Sequence, residues 1–200
     1  PPFSIFLAAP KNLLGGKSAE ESTPPERTLP LAGMERLYAL ASLVMALTLH
    51  KGMTKRVIRD AGVPTSDFHV AETPEDAHAV DFAGPYFVKP VAEGTGKGVT
   101  PESIVRRKTD LEIQCRRLID TFHQPVIIEP YLPGREFTAG IVGTGANARV
   151  LGTIEVHLLD TAEQGVYSYV NKEECESRVL YRLVRPVDDP VVAEAEAVAL

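Results

Sequence analysis

The sequence predicts an α+β fold, in which strands and helices follow one another without a regular strand–helix repeat. Three observations lead to this class. A short alternating strand runs into a glycine-rich turn at 87–100, an amphipathic helix covers Lys108–Phe122, and several strands separated by turns follow from residue 126. The order strand, loop, strand, helix, strand, turn, strand mixes both element types without a regular repeat, which is typical of the α+β class.

Composition and charge argue against nucleic-acid binding and against a membrane protein. The chain has 200 residues and a net charge of −6, with basic residues scattered along it, so a nucleic-acid partner is not expected. Its longest apolar run, Leu37–Leu49, is shorter than the roughly 20 residues that span a bilayer, and no basic segment with a cleavage site precedes it. We therefore expect a cytoplasmic protein without a membrane partner. Cys115 and Cys175 lack metal-site or disulfide spacing and are expected to be ordinary thiols.

The first elements follow from local patterns. In the proline- and glycine-rich residues 1–32, FSIFLAAP is a possible strand. ERLYALASLVMALTL, residues 35–49, is apolar nearly all round, which predicts a buried helix. A second helix follows in HKGMTKRVIRDAGVPT, with Gly62 as its terminator and Pro64 beyond it.

The remaining elements alternate. Ser66–Val70 is predicted as a strand and Thr73 as the cap of a helix that begins with proline and two acids. After the helix at Lys108–Phe122 come strands at 126–132, 136–143, 148–159 and 178–184, a polar aromatic loop at 166–174, and a helix from about Pro190.

The stretch FVKPVAEGTGKGVT, residues 87–100, suits a polyphosphate. Strand alternation directs the ammonium of Lys89 away from the core, and Gly94, Gly96 and Gly98 leave backbone amides free to surround an anion. Neither a P-loop nor a Rossmann fingerprint fits, because Gly98 follows Lys97 and the turn runs into Val-Thr-Pro. A tight hairpin with an exposed lysine is the alternative.

Two motifs together carry a family resemblance. The run V-K-P-x-x-E-G-(S/T)-x-x-G-(V/I)-(S/T), followed by IIEPYLPGREFT, resembles the ATP-grasp superfamily and its D-alanine–D-alanine ligase branch, from about Gly33 to Tyr181. The resemblance implies an ATP-grasp fold with a small mixed α/β lobe and the beginning of a large antiparallel lobe. It divides the chain into an N-terminal remnant at 1–50, a small lobe at 51–132 and part of a large lobe at 133–200.

The resemblance also implies an ATP site. Lys51 and Lys89 would contact phosphates, the turn would cover the β and γ phosphates, the hinge would hold adenine, and Glu136 would accept from the ribose. Alternatively, Lys51 is an ordinary solvated lysine on a helix and Glu136 an exposed charge on an edge strand. Two residues depart from the family pattern: Lys97 in the turn and His50 before Lys51. The implied turn residues are Glu93, Gly94, Thr95, Gly96, Lys97 and Gly98. The implied hinge residues are Glu129, Pro130, Tyr131 and Leu132.

YSYVNKE, residues 167–173, resembles the family motif Y-D-Y-E-x-K-(Y/F). This implies that Lys172 contacts the transferred phosphoryl group, as a catalytic residue with Lys89, and that Tyr167 lies over the substrate pocket. Glu173 replaces an aromatic residue that helps select the second substrate, which leaves a cationic or amino-bearing substrate open. KNLLGGKSAEEST resembles a substrate loop with Glu20 as its acid, or it is a polar surface loop.

The implied function is an ATP-dependent carboxylate–amine ligase that works through an acyl phosphate, as in peptidoglycan precursor synthesis. Its partners would be ATP and small amino-acid-like carboxylate and amine substrates. Mg²⁺ would be required, with its ligands expected beyond residue 200, so that the chain alone is expected to be incomplete for catalysis. The alternatives are an ATP-grasp ligase for another amino acid or peptide, and an ATP-binding module without turnover. The sequence does not indicate an oligomeric state.

Overall fold

The computed structural model describes residues 4–5 and 31–200, with side chains from residue 40 onward. Its described part has an α+β architecture, as predicted, built on two four-stranded sheets with the orders β2-β5-β3-β4 and β1-β6-β7-β8. The strands are β1 Ser4–Ile5, β2 His69–Ala71, β3 Tyr86–Pro90, β4 Ile104–Val105, β5 Val126–Pro130, β6 Glu136–Val142, β7 Arg149–Leu158 and β8 Val179–Val184. The helices are α1 Leu31–Leu49, α2 Lys51–Asp60, α3 Leu111–Phe122, α4 Tyr169–Glu173, α5 Cys175–Arg178 and α6 Pro190–Ala199.

The first sheet is antiparallel throughout and has a buried and a half-buried face. In β3, Tyr86, Val88 and Pro90 are buried, whereas Phe87 and Lys89 are only half-buried. The buried residues pack with α3, because apolar positions that alternate on a strand line one face. The core there consists of Ala71, Ala77, Val80, Tyr86, Val88, Val105, Leu111, Cys115, Leu118, Val126 and Ile128. Lys89 therefore points away from this core, as its position in the strand predicts.

The second sheet holds β6, β7 and β8 antiparallel, with β1 parallel to β6. Phe137 from β6 is fully buried against Val192 and Ala195 of α6. The chain changes from the first sheet to the second between Pro130 and Glu136. The domain boundary at residue 132 remains a prediction.

Helix α1 ends at Leu49 as predicted, but it begins at Leu31, four residues before the predicted start, and it lacks the predicted burial. Leu40, Leu43 and Met45 are 61%, 66% and 69% exposed. The described part of α1 packs against α2, and much of its apolar surface meets no other described side chain. No helix in the described part of the chain is both long and apolar enough for a membrane span.

Two helix ends explain local sequence choices. His50, which departs from the family pattern, caps α2, because its Nδ1 accepts from the backbone N–H of Met53 at 3.2 Å. Gly62 follows the end of α2 with φ of +81°, as the terminator role requires.

Three other local predictions are revised. The strand predicted at Ser66–Val70 is shorter and later, at His69–Ala71. Thr73 starts a short 3-10 helix, Pro74–Ala79, instead of an α-helix. The segment predicted as a polar aromatic loop contains α4, because Ser168 caps this helix by accepting from the Asn171 N–H, and α5 follows directly after the segment.

Candidate active site

The glycine-rich turn connects β3 to a second short 3-10 helix, Pro101–Ser103, which leads into β4. Its backbone takes positive φ at Thr95 (+53°), Gly96 (+84°) and Gly98 (+76°). The Lys97 N–H donates to the Gly94 carbonyl at 3.1 Å and the Val99 N–H to the Gly96 carbonyl at 2.9 Å. The segment is thus a succession of tight turns, with the Lys97 side chain exposed on it.

A glutamine fixes the start of this turn. Gln124, just beyond α3, accepts from the Ala92 N–H at 2.7 Å and donates to the Glu93 carboxylate at 2.9 Å. The amide thereby holds the turn against the first sheet. Sequence reasoning did not identify Gln124, because it lies about thirty residues from the groups that it contacts.

Lys89 reaches the half-buried face of the first sheet, where it meets Glu129. Its Nζ lies 2.6 Å from Glu129 Oε2, and Lys55 of α2 approaches Oε1 at the same distance of 2.6 Å. Burial alone raises the pKa of Glu129, but the ammonium groups of Lys89 and Lys55 outweigh burial and hold this pKa well below its usual range. Glu129 is therefore a carboxylate shared by two lysines.

Lys51 lies at the start of α2, over the end of β3. Its Nζ donates to the carbonyls of Pro90 at 3.1 Å and Glu93 at 2.6 Å, and its backbone N–H donates to the Val91 carbonyl at 2.9 Å. Burial, reinforced by the charge of Lys89, lowers the pKa of Lys51 to about 8. The predicted solvated alternative for Lys51 is therefore wrong, since its ammonium is tied to the base of the turn.

Lys172 approaches the turn from the side on which the second sheet lies. It belongs to α4, its Nζ lies 4.5 Å from the centre of the Tyr167 ring, and a Cβ on Gly96 would be 3.5 Å from that Nζ. Burial lowers the pKa of Lys172, partly offset by Glu136, and the charge of Lys89 lowers it further. Lys51 donates to a carbonyl at the start of the turn, Lys172 lies against Gly96 within it, and Lys89 is on the strand that enters it, so three lysines from three elements lie beside the same turn.

Glu136, the first residue of β6, is the acidic group of this site. Burial raises its pKa to about 7, although the charges of Lys172 and Lys89 act in the opposite direction. Its burial argues against the alternative of an exposed edge-strand charge.

The hinge between the sheets is held at Tyr131. Its N–H donates to the Pro85 carbonyl at 2.7 Å, and its hydroxyl donates to the Gly165 carbonyl at 2.6 Å. Its ring stacks on Phe87, with 6.3 Å between the ring centres. Pro130 ends β5, and Leu132 is half-buried just beyond it.

The segment before Lys172 is braced by Asn171, whose side chain is fully buried. Its amide donates to the carbonyls of Glu163 and Val166, both at 2.9 Å, and accepts from the Glu163 N–H at 2.9 Å. Ser168 adds a hydrogen bond to the Glu163 carboxylate. Asn171 was not identified from the sequence, because it falls on a variable position of the motif.

The substrate residues are only partly brought together. Tyr167 lies beneath Lys172, and its hydroxyl also hydrogen-bonds that of Tyr181 on β8. Glu173 is exposed at the end of α4. Glu20 lies outside the described residues.

Lys55 is the main cation that sequence reasoning left out. HKGMTKRVIRDAGVPT resembles the family segment D-K-x-x-(S/T)-K, whose second lysine falls on Lys55, and that was the available signal. Within residues 4–5 and 31–200, no group of three or more His, Cys, Asp or Glu side chains is arranged to hold a metal ion.

Comparison with known proteins begins with a family model described as "D-ala D-ala ligase C-terminus", which matches residues 57–200. The D-alanine–D-alanine ligase of Bordetella pertussis is 34% identical over 170 residues, which is 84% of this chain and 49% of that protein. The enzyme of the same name from Methylobacterium radiotolerans is 38% identical over 115 residues, covering 57% and 35%. The chain thus spans about half, or less, of the length of these curated relatives.

Two solved structures share the fold at low sequence identity. The VanG D-Ala:D-Ser ligase of Enterococcus faecalis superposes with a TM-score of 0.55 at 19% identity, covering 77% of this chain and 43% of its own. D-alanyl-alanine synthetase A of Vibrio cholerae gives a TM-score of 0.50 at 18% identity, covering 66% and 40%.

Proposed function

The chain belongs to the D-alanine–D-alanine ligase C-terminal family and has the ATP-grasp fold, and on this premise we propose that it forms the nucleotide site of an ATP-dependent carboxylate–amine ligase. One observation carries the proposal. Lys51, Lys89 and Lys172 come from three separate elements and share one partly buried site beside the glycine-rich turn.

The residues present fit a polyphosphate. Burial makes it costly to keep ammonium groups charged near one another, which is why the pKa values of Lys51 and Lys172 fall. A bound polyanion relieves this repulsion, because its negative phosphates attract all three ammonium groups. An exposed hairpin lysine, the alternative interpretation of the turn, would not be surrounded by further buried cations.

ATP would supply the γ-phosphoryl group that converts a substrate carboxylate into an acyl phosphate, from which an amine displaces phosphate. Lys89 would neutralise the α and β phosphates, and Lys172 would lie at the transferred group. Turn amides between Thr95 and Gly98, apart from that of Lys97, which donates to Gly94, would cover the β and γ phosphates and exclude water. The protein's contribution would be positioning and charge neutralisation.

The rest of the nucleotide would lie along the hinge. Backbone groups from Glu129 to Leu132 would hold adenine, and Glu136 would accept from a ribose hydroxyl. Both carboxylate oxygens of Glu129 already accept from lysines, so its backbone is the group better suited to the base.

Magnesium does not fit the described residues, which offer no cluster of ligands for it. We therefore assign no step to a metal. Its requirement remains a prediction of the family resemblance.

The substrate proposal is D-alanine, from the names of the curated relatives, with a place in peptidoglycan precursor synthesis in the cytoplasm. The exposed carboxylate of Glu173 favours a second candidate, in which the accepted amine substrate carries an additional positive charge. An ATP-binding module without turnover remains the alternative from another class.

Nucleotide binding is the first test. Titration of the chain with ATP in a calorimeter should show binding that Lys89→Met weakens at least tenfold, since it removes a cation from the phosphate site. Arg106→Met is the control, because it removes the same charge from an exposed position outside the turn. Equal losses in both variants, or no binding by the unmodified chain, would contradict the proposal.

Turnover is then measured in the full-length protein as phosphate release from MgATP. D-alanine should stimulate release, and Lys89→Met should abolish the stimulation. Stimulation by a diamino acid but not by D-alanine would favour the second candidate. ATP binding without release by any amino acid would favour the binding module.

A further inference from the structure

A buried group of three charges lies on the half-buried face of the first sheet. Lys55 and Lys89 each place Nζ 2.6 Å from a different oxygen of Glu129. The side chains of Lys55, Glu129 and Lys89 are only 12%, 12% and 16% exposed. Lys55 comes from α2, Lys89 from β3 and Glu129 from β5, so the group connects the helix to two neighbouring strands.

Lys55 is held independently of Lys89. Its Nζ also donates to Ser66 Oγ at 2.7 Å, and it lies 5.5 Å from the centre of the Phe68 ring. These contacts fix the ammonium on one side of Glu129 and leave the opposite oxygen to Lys89. Lys55 therefore contacts the segment before the edge strand β2, whereas Lys89 lies on β3, the strand that enters the glycine-rich turn.

The balance of charge has a consequence for anion binding. A buried pair of Lys89 and Glu129 alone would be electrically neutral, and a neutral pair attracts a phosphate weakly. With Lys55 on the same carboxylate, the three groups carry one positive charge in excess. The carboxylate itself stays ionised, because the two ammonium groups hold the pKa of Glu129 low.

We propose that Lys55 is a positioning residue for polyphosphate binding, which neutralises Glu129 and thereby leaves the charge of Lys89 available to the anion. The inference rests on the proposed ATP site and adds to it a residue that touches no phosphate. Lys55 acts through Glu129, so its effect is expected to depend on whether Glu129 is charged.

The test compares Lys55→Met with Arg59→Met. Arg59 is one helical turn away, lies 5.0 Å from the same Phe68 ring, and pairs with Asp67 at the surface, so its loss removes an equal charge without touching Glu129. Calorimetric titration uses ATP, inorganic tripolyphosphate and adenosine. We expect Lys55→Met to weaken ATP and tripolyphosphate about 30-fold and to leave adenosine unchanged, whereas Arg59→Met changes each less than threefold.

The double variant Lys55→Met/Glu129→Gln separates charge balance from a structural role. It removes one positive and one negative charge, so Lys89 regains its excess charge and tripolyphosphate affinity should return to within about threefold of the unmodified chain. It also serves if Lys55→Met alone does not fold, because no uncompensated carboxylate is left. Circular dichroism checks the fold of each variant.

The outcomes distinguish this inference from the proposed function. No binding of ATP or tripolyphosphate by the unmodified chain removes the proposed function and the inference with it. If Lys89→Met weakens binding and Lys55→Met does not, the inference about Lys55 is overturned but the proposed function is not. The inference is also overturned if Lys55→Met weakens adenosine binding as much as tripolyphosphate binding, or if the double variant binds tripolyphosphate as weakly as Lys55→Met does. Each result would show that Lys55 has a structural role instead.

Discussion

Replacing the three glycines of the turn one at a time by alanine should have three different effects. A Cβ on Gly98 would lie 2.5 Å from Pro90 Cγ and 2.9 Å from Phe122 Cε2, at a φ of +76°. The left-handed backbone costs about 1 kcal/mol for alanine, and forcing a methyl group into packed carbon costs roughly 1–3 kcal/mol more. We expect Gly98→Ala to lower the free energy of unfolding by about 2–4 kcal/mol.

The other two positions provide matched comparisons within the same turn. A Cβ on Gly94 would meet nothing within 4 Å, and its φ is not in the left-handed region, so Gly94→Ala should stay within about 0.5 kcal/mol of the unmodified chain. Gly96 has φ of +84°, and its Cβ would touch Lys172 at 3.4 Å without overlap. Gly96→Ala should therefore cost about 1 kcal/mol, from the backbone.

Urea unfolding followed by circular dichroism measures all three variants. The chain contains no tryptophan, so tyrosine fluorescence gives a second signal for the same transition. The expected order of destabilisation is Gly98, then Gly96, then Gly94. Equal effects at Gly98 and Gly94 would refute the packing of the turn against Pro90 and Phe122.

Three further predictions concern the site. Burial raises the pKa of Glu136 to about 7, so the folded state retains a proton that the unfolded state loses near pH 4.5. The free energy of unfolding should therefore fall by on the order of 3 kcal/mol as the pH rises from 4.5 to 7. Thermal melts of Glu136→Gln should lack this fall. Since the pKa of Lys51 is about 8, ATP affinity should drop severalfold from pH 7 to 9.5, and titrations of Lys51→Arg, which stays charged, should show a smaller drop, because the lowered pKa of Lys172 still contributes. Tyr131→Phe keeps the ring but removes the hydrogen bond to Gly165, so it should cost about 1 kcal/mol and speed amide hydrogen exchange at 163–170; unchanged exchange would show that this bond does not hold the segment.

Sequence periodicity predicted the elements that position the site, but not the long-range pairs within it. The alternation in β3 is sufficient to direct Lys89 away from the core, and the apolar spacing of α3 to place it beneath the sheet. The contact of Lys55 with Glu129 joins residues 74 positions apart. The contact of Lys89 with Glu129 depends on the register that places Phe87 opposite Glu129, which no local pattern specifies.

Two predictions failed for physical reasons that the sequence conceals. Asn171 is polar, and its segment was taken for a loop, but its amide satisfies backbone groups so completely that it is fully buried. The apolar composition of α1 predicted burial, but composition indicates only that a helix has surface to cover, and the described part of the chain covers little of it.

The contacts between the turn and α4 have a consequence for rates. The Tyr169 N–H donates to the Val99 carbonyl at 3.2 Å, and Lys172 lies against Gly96. A nucleotide that places its phosphates between these groups must first part them. Its observed association rate should therefore level off at high concentration, where the opening of this contact becomes slower than diffusional encounter.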